Sequence, residues 1–214
     1  MAGTPAPAGR LYAIVDADVC AAAGRAPADV ARAFLAGGAR WLQLRCKALG
    51  SGAFLDLAHT ILQDTDAAGA TLIINDRADI AALCGAPGLH VGQDDLAPAE
   101  ARSVIGAAPI LGLSTHTPEQ WARAVTEPIS YIAIGPVFGS ATKVTGYQAI
   151  GLETVRRASD AAAARGLPTI AIGGITLDNA AAVVAAGAAS VAVISDLLKG
   201  DPEDRCRAYL RMLE

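Results

Sequence analysis

Short apolar runs rich in β-branched residues recur eight times along this chain, and each is followed by an Ala-rich stretch of helical length. That alternation is the pattern of βαβ units, in which crossover helices join parallel strands. The runs are Leu11 to Val15, Trp41 to Arg45, Thr71 to Asn75, Gly88 to Val91, Ile110 to Leu113, Tyr131 to Ile134, Thr169 to Ile172 and Ser190 to Ile194. Eight units in one domain predict a closed α/β barrel, the (β/α)8 TIM barrel, with an open doubly wound sheet as the structural alternative. At 214 residues the chain is somewhat shorter than the ~250 typical of that barrel. Apolar residues make up 53% and aromatics only 4%, so the expected core is built from Ala, Val, Ile and Leu rather than from large rings.

No proline or glycine cluster and no run of like charge divides the chain, so residues 11–214 are expected to form one domain. Met1 to Arg10, rich in Ala, Pro and Gly, reads as a loose tail without the apolar stretch of a secretory signal. Thr117, Pro118 and Gln120 predict a helix start with an N-cap, a first-turn proline and a capping-box partner, and Asp201 with Pro202 repeats the signal. Gly37 and Gly38, Gly69, Gly166 and Gly187 mark helix ends where a left-handed residue is expected.

A net charge of −4 offers no electrostatic footprint for nucleic acid or an anionic membrane, so any phosphate site must be local. The longest apolar tract, Ala180 to Ile194, is interrupted by Gly187 and Ser190 and falls short of the ~18 residues of a membrane span. Cys20, Cys46, Cys84 and Cys206 are far apart and lack metal-ligand spacing, which fits reduced thiols in a cytoplasmic protein.

In a helix-wrapped barrel the outer strand face must be apolar, so polar residues that alternate along a strand point inward. In the second strand Gln43, Arg45 and Lys47 share one face while Leu42, Leu44 and Cys46 share the other. Two cations and an amide aimed at a barrel mouth suit a multiply charged anion, although a solvated edge strand carries the same pattern. Asp76 ends the third strand, and Asp94 and Asp95 follow the fourth. Asp76 with either of the other two provides what Mg²⁺ needs when it also takes water and phosphate oxygens, whereas each alone also suits a helix cap. The long connection after the sixth strand carries Ser140, Thr142 and Lys143, two hydroxyls and an ammonium suited to gripping a departing phosphate. Gly173 and Gly174 after the seventh strand, and Ile194 with Ser195 after the eighth, predict a backbone cup for a second phosphate. His59 reads as a surface or packing residue, His90 as a hydrogen-bonded core histidine, and His116 as a rim residue able to position substrate or act as a base. Trp41 and Trp121 read as packing residues.

Together Gln43-Leu44-Arg45 with Lys47, Ile74-Asn75-Asp76-Arg77, Gly92-Gln93-Asp94-Asp95, Ser114-Thr115-His116-Thr117, Gly135-Pro136-Val137-Phe138 with Thr142-Lys143, Ile172-Gly173-Gly174-Ile175 and Val193-Ile194-Ser195 resemble the thiamine phosphate synthase family, from Leu11 to the last helix. The resemblance implies an enzyme that joins a pyrimidine diphosphate to a thiazole phosphate and releases pyrophosphate. It implies that Gln43, Arg45, Lys47 and Asn75 meet the pyrimidine diphosphate, with Asp76 and Asp95 holding Mg²⁺ on its phosphates and Lys143 holding the pyrophosphate. Arg45, Lys47 and Lys143 are then the catalytic cations. Ser114 lies near the pyrimidine, Ser140 and Thr142 face the thiazole phosphate region, and Gly174, Ile194 and Ser195 donate to that phosphate. Its partners are small phosphorylated molecules, and a homo-oligomer is open to it. Cys46 stands where the family commonly has an acidic residue, and Gly139-Ser140 where it has Pro-Thr. Two rivals share the barrel: a thiazole tautomerase relying on a rim histidine such as His116, and a non-catalytic phosphate or thiamine binder.

Overall fold

The computed structural model describes residues 9–139 and 146–214. The chain alternates strand and helix throughout. β1 (Leu11–Asp16) leads through α1 (Ala17–Ala22) and α2 (Pro27–Ala36) to β2 (Trp41–Arg45), then α3 (Ser51–Ala67), β3 (Thr71–Asn75), α4 (Ala78–Cys84) and β4 (Gly88–Val91). The second half runs α5 (Pro98–Ile105), β5 (Ile110–Thr115), α6 (Pro118–Ala124), β6 (Tyr131–Ile134), α7 (Gly151–Ala163), β7 (Thr169–Ile172), α8 (Ala180–Ala185) and β8 (Ser190–Val193). A 3₁₀ turn (Ser195–Leu198) and α9 (Pro202–Leu213) complete it. The strands are parallel and close in sequence order, with β1 paired to β8 through Leu11 opposite Val191. The (β/α)8 barrel is therefore the architecture, and the open sheet is excluded.

Strand ends differ from the sequence expectation by small, explicable amounts. β1 extends to Asp16 and β5 to Thr115 because both ladders continue, to Arg45 of β2 and Ile134 of β6 respectively. β8 stops one residue early because Ile194, at φ −112° and ψ −92°, turns the chain into the 3₁₀ segment.

Residue alternation sorts each strand into two packed layers. Leu11, Ala13, Val15, Leu42, Leu44, Leu72, Ile74, Leu89, Val91, Val191 and Val193 face the helices, where Phe34, Phe54 and Ile61 meet them. Inside the barrel sit Tyr12, Ile14, Trp41, Ile73, Ile110, Tyr131 and Ile170. The interior thus departs from the expected core of Ala, Val, Ile and Leu, although Trp41 keeps its expected packing role. Trp41 stacks on Tyr12 at 3.7 Å between centroids, and Tyr131 stands edge-on to both. Gly112 makes room for this trio, since a Cβ there would lie 2.0 Å from the Tyr131 ring.

The helix signals hold with two local differences. Thr117 accepts from the Gln120 N–H, but the Gln120 carboxamide reaches the His116 N–H at 2.6 Å, one residue outside the expected capping box. Asp201 accepts from the Glu203 and Asp204 N–H groups as expected. Gly38, Gly69, Gly166 and Gly187 take positive φ. Gly37 is instead right-handed, and it is needed because a Cβ would lie 2.6 Å from the Glu203 carbonyl of α9. Among the described residues no helix is long and apolar enough to cross a membrane, and all four cysteines are buried free thiols.

Candidate active site

The C-terminal ends of β1 to β4 assemble a charged cluster. Arg45 leaves β2 toward the barrel interior and binds Asp16 at 2.5 Å, with both side chains largely buried. Asp16 also caps α1 through the Asp18 and Val19 N–H groups. Lys47, half exposed one turn of the strand further out, pairs with Asp76. Asp76 follows β3 in the left-handed region, at φ 65°, and its N–H donates to the His90 carbonyl of β4 at 2.7 Å. Asp95 accepts from the Gly92 N–H at 2.7 Å and comes into hydrogen-bonding contact with Asp76. Burial and the facing Asp76 carboxyl together hold the Asp95 carboxyl above the ordinary range. Asp94 is exposed, so of the two acids after β4 it is Asp95 that meets Asp76.

Among the described residues no three His, Cys, Asp or Glu side chains gather as a metal cage. A pair of carboxylates, one of them raised in pKa by burial and by the other, is what remains, and hard oxygen donors that also take water and phosphate suit Mg²⁺. Two like charges in contact are relieved by a divalent cation between them, so the donor set fits such an ion.

Below this cluster a narrow interior cavity of about 40 Å³ is lined by Tyr12, Gln43, Arg45, Asn75, His90 and Ser114, among others. Gln43 is buried and donates through Nε2 to the Tyr12 hydroxyl at 2.8 Å. His90 bridges the Tyr131 hydroxyl and Ser114 Oγ, each at 2.8 Å, so its expected hydrogen-bonded core position is also a cavity wall. A larger cavity of about 260 Å³ adjoins it at the ends of β5 to β8 and shares Ser114, Ile172, Ala192 and Ile194.

Gly173, Gly174, Ile194 and Ser195 line that larger cavity. Gly173 and Gly174 have φ of 102° and 65°, and a Cβ on either would lie within 2.6 Å of the Pro136 or Gly139 segment. Side chains are thus excluded twice over, by conformation and by contact, and the backbone is left as the wall. Asn179 pins the turn by accepting from the Thr176 N–H at 2.8 Å and donating to the Gly174 carbonyl at 3.1 Å. Beneath Ser195 the buried Asp196 accepts from the Leu177 N–H, Arg205 and Tyr209, and lies 2.9 Å from Lys199 Nζ. Burial alone raises such a carboxyl; the bonds from Tyr209, Lys199, Arg205 and Leu177 outweigh it and bring Asp196 to about 2.

His116 lines the same cavity, contacts the Gly135 carbonyl through Nδ1 at 2.6 Å and stacks on Tyr147. Ser140, Thr142 and Lys143 lie outside the described residues. His59 is exposed on α3, while Trp41 and Trp121 are buried. Cys46 faces the helices with Leu42 and Leu44, as alternation requires, and burial pushes its thiol up to about 12.

Gln43, Arg45, Lys47, Asn75, Asp76 and Asp95 therefore gather at one part of the rim, and Gly174, Ile194 and Ser195 at the neighbouring part. Sequence reasoning missed Asp16, Tyr12 and Tyr131. The alternation applied to β2 finds all three when applied to β1 and β6, since Tyr12, Ile14 and Asp16 share the inner face. The Asp196 anchor had no such signal, because Arg205 and Tyr209 reach it from another element.

A profile described as thiamine monophosphate synthase matches residues 11–197. A thiamine-phosphate synthase of Roseiflexus castenholzii is 43% identical over 205 residues, covering 95% of this chain and 89% of that one. One from Koribacter versatilis is 42% identical, covering 95% of each. The solved thiamine phosphate pyrophosphorylase of Pyrococcus furiosus superposes with a TM-score of 0.85 at 28% identity, again over 95% of each chain. This chain belongs to the thiamine monophosphate synthase family.

Proposed function

We propose that this enzyme condenses 4-amino-2-methyl-5-(hydroxymethyl)pyrimidine diphosphate with 4-methyl-5-(2-phosphoethyl)thiazole, or its carboxylate form, to thiamine phosphate with release of pyrophosphate. The observation that carries the reading is the adjacency of two unlike anion sites. One is charged, with Lys47, Asp76 and Asp95 beside Arg45; the other is a glycine-walled backbone cup, and the cavities they flank share four wall residues. Two phosphorylated substrates held so close need no protein nucleophile to react, because proximity and orientation convert a bimolecular encounter into one within the site.

In this reading Gln43, Asn75 and Ser114 hold the pyrimidine, Arg45 and Lys47 meet its diphosphate, and Asp76 and Asp95 hold Mg²⁺. When bound there, Mg²⁺ neutralises charge on the diphosphate oxygens. Arg45 is oriented by Asp16, which keeps its guanidinium at the end of β2 rather than free to follow solvent. Lys47 and, from the connection after β6, Lys143 stabilise the charge that grows on the leaving pyrophosphate as the C–O bond breaks to a pyrimidine methyl cation. The thiazole nitrogen then attacks that carbon. Gly174, Ile194 and Ser195 hold the thiazole phosphate, and Ser140 and Thr142 are assigned to the same phosphate. The four buried thiols fit a reducing cytoplasmic setting.

The test is an incubation with both precursors and Mg²⁺, assayed for thiamine phosphate and pyrophosphate, with an EDTA control and a Lys143→Ala variant. Coupling that EDTA abolishes and the variant slows by about 10² to 10³ supports the reading. Tautomerised thiazole without coupling would assign the chain to the isomerase on this barrel. Ligand-induced stabilisation with no turnover would make it a binding protein.

A further inference from the structure

The interior cavity is bounded by a continuous hydrogen-bonded chain whose middle members, Tyr12, Tyr131 and His90, the mechanism above leaves unused. It runs from Gln43 Nε2 to Tyr12 Oη at 2.8 Å, to Tyr131 Oη at 3.1 Å, to His90 Nδ1 at 2.8 Å, and from His90 Nε2 to Ser114 Oγ at 2.8 Å. Every link but the last lies in the buried barrel interior. Both ends, Gln43 and Ser114, line the cavity.

Donor arithmetic fixes its direction. An amide nitrogen only donates, and each hydroxyl has a single proton. Tyr12 accepts from Gln43, so its own proton goes to Tyr131, whose proton goes to His90 Nδ1. His90 is then the neutral tautomer with its proton on Nε2, which donates to Ser114, and the Ser114 proton turns to the cavity. With Gln43 Nε2 donating, reversing any one link strands a buried O–H or places two protons in one bond, at a cost of a lost hydrogen bond or more, and the opposite direction needs the Gln43 amide turned over and every link reversed with it. Burial holds both tyrosine hydroxyls well above their ordinary range, so they stay protonated and the chain stays neutral. The ends presented to a ligand are therefore unlike: an acceptor, Gln43 Oε1, and a donor, Ser114 Oγ–H.

Resting on the function proposed above, we infer that Tyr12, Tyr131 and His90 are positioning residues that set the hydrogen-bonding polarity of the pyrimidine pocket and so select a 4-aminopyrimidine over its 4-oxo counterpart. An exocyclic amine donates to Gln43 Oε1 while a ring nitrogen accepts from Ser114. A 4-oxo ring presents an acceptor where the pocket already has one. None of the three residues needs to touch the substrate's reacting carbon. Their part is to keep the Gln43 amide from turning over.

Tyr131→Phe cuts the chain at its centre while keeping the ring that packs on Trp41 and Tyr12. The Tyr12 proton loses its acceptor, the Gln43 amide is freed to flip, and the oxo ring becomes acceptable. The experiment compares kcat/KM for 4-amino and 4-oxo pyrimidine diphosphates in the wild type and the variant. The expected result is a drop in the amino-to-oxo ratio of about tenfold or more, with KM for the thiazole phosphate unchanged. A merely structural defect moves both substrates together. Tyr12→Phe, cut at the neighbouring link, gives the same change in ratio and serves if the first variant does not fold. An independent reading comes from ¹⁵N NMR of the His90 ring in the unliganded protein, where the proton is expected on Nε2. A proton on Nδ1, or a ratio that stays at the wild-type value in a folded variant, overturns the inference. Absence of coupling with either pyrimidine would overturn the function instead, and the ring ¹⁵N shifts would still decide the proton arrangement.

Discussion

Asp76 is, among the described residues, the one non-glycine with a left-handed backbone, φ 65°. A Cβ in that region costs of order 1 kcal/mol, which Asp tolerates better than most side chains because its carboxylate bonds locally. Strain of this kind persists where the surroundings fix it, and here the Asp76 N–H is held by the His90 carbonyl on the next strand. The turn thereby carries the carboxylate, itself paired with Lys47, against Asp95, whose pKa is raised by burial and by the facing Asp76. Two substitutions separate these effects. Asp76→Gly removes both the Cβ strain and the like charge, whereas Asp76→Ala removes the charge and keeps the strain. Coupling activity should fall by about 10² or more in both. Urea denaturation without added Mg²⁺ should nevertheless find the Gly variant about 1 kcal/mol more stable than the Ala variant. Equal stabilities would mean that the backbone at residue 76 is unstrained.

At the scale of elements, the glycine-walled cup depends on a junction rather than on its own residues. The 3₁₀ turn after β8 and the loop after β7 are joined by Asp196, which accepts from the Leu177 N–H while Arg205 and Tyr209 of α9 hold it from behind. With a folded pKa of about 2, below the unfolded value near 3.9, Asp196 stabilises the fold fully above pH ~4. That contribution, of order 2 kcal/mol, is lost as pH falls toward 2. Asp196→Asn leaves Arg205 without its anion, so the variant should be about 3 kcal/mol less stable at pH 7, with KM for the thiazole phosphate raised as the cup loosens. Because the variant has no carboxyl to titrate, the gap in thermal midpoint should narrow between pH 4 and pH 2; a constant gap would remove Asp196 from the account. This junction was not legible in the sequence. Strand alternation exposes what shares a face within one strand, and it located Gln43, Arg45 and Lys47 that way, but Arg205 meets Asp196 only because α9 packs back against β1 and the 3₁₀ turn.

For the whole molecule, the eightfold repeat of strand and helix pointed to the barrel with an open doubly wound sheet as its alternative, because parallel strands with short crossovers leave few other arrangements. It did not reveal the aromatic plug, since composition counts rings without saying where they gather, and Tyr12, Trp41 and Tyr131 come from three separate strands. Nor did it show where closure begins. β8 pairs with the chain ahead of Leu11: the Val191 N–H donates to the Arg10 carbonyl at 2.9 Å, and the buried Ser190 hydroxyl donates to the Gly9 carbonyl. Closing a barrel removes its two sheet edges only if those last donors are met. A chain beginning at Leu11 should therefore be less stable than one beginning at Gly9 by about 2 to 4 kcal/mol, the cost of two buried donors left without acceptors. Because one core is shared by all eight strands, the loss should appear in urea as a lower midpoint with an unchanged slope, a single cooperative transition in both chains. A shallower or biphasic transition in the shorter chain would show instead that β1 and β8 part before the rest of the barrel, and that closure is a local clasp rather than a property of the whole.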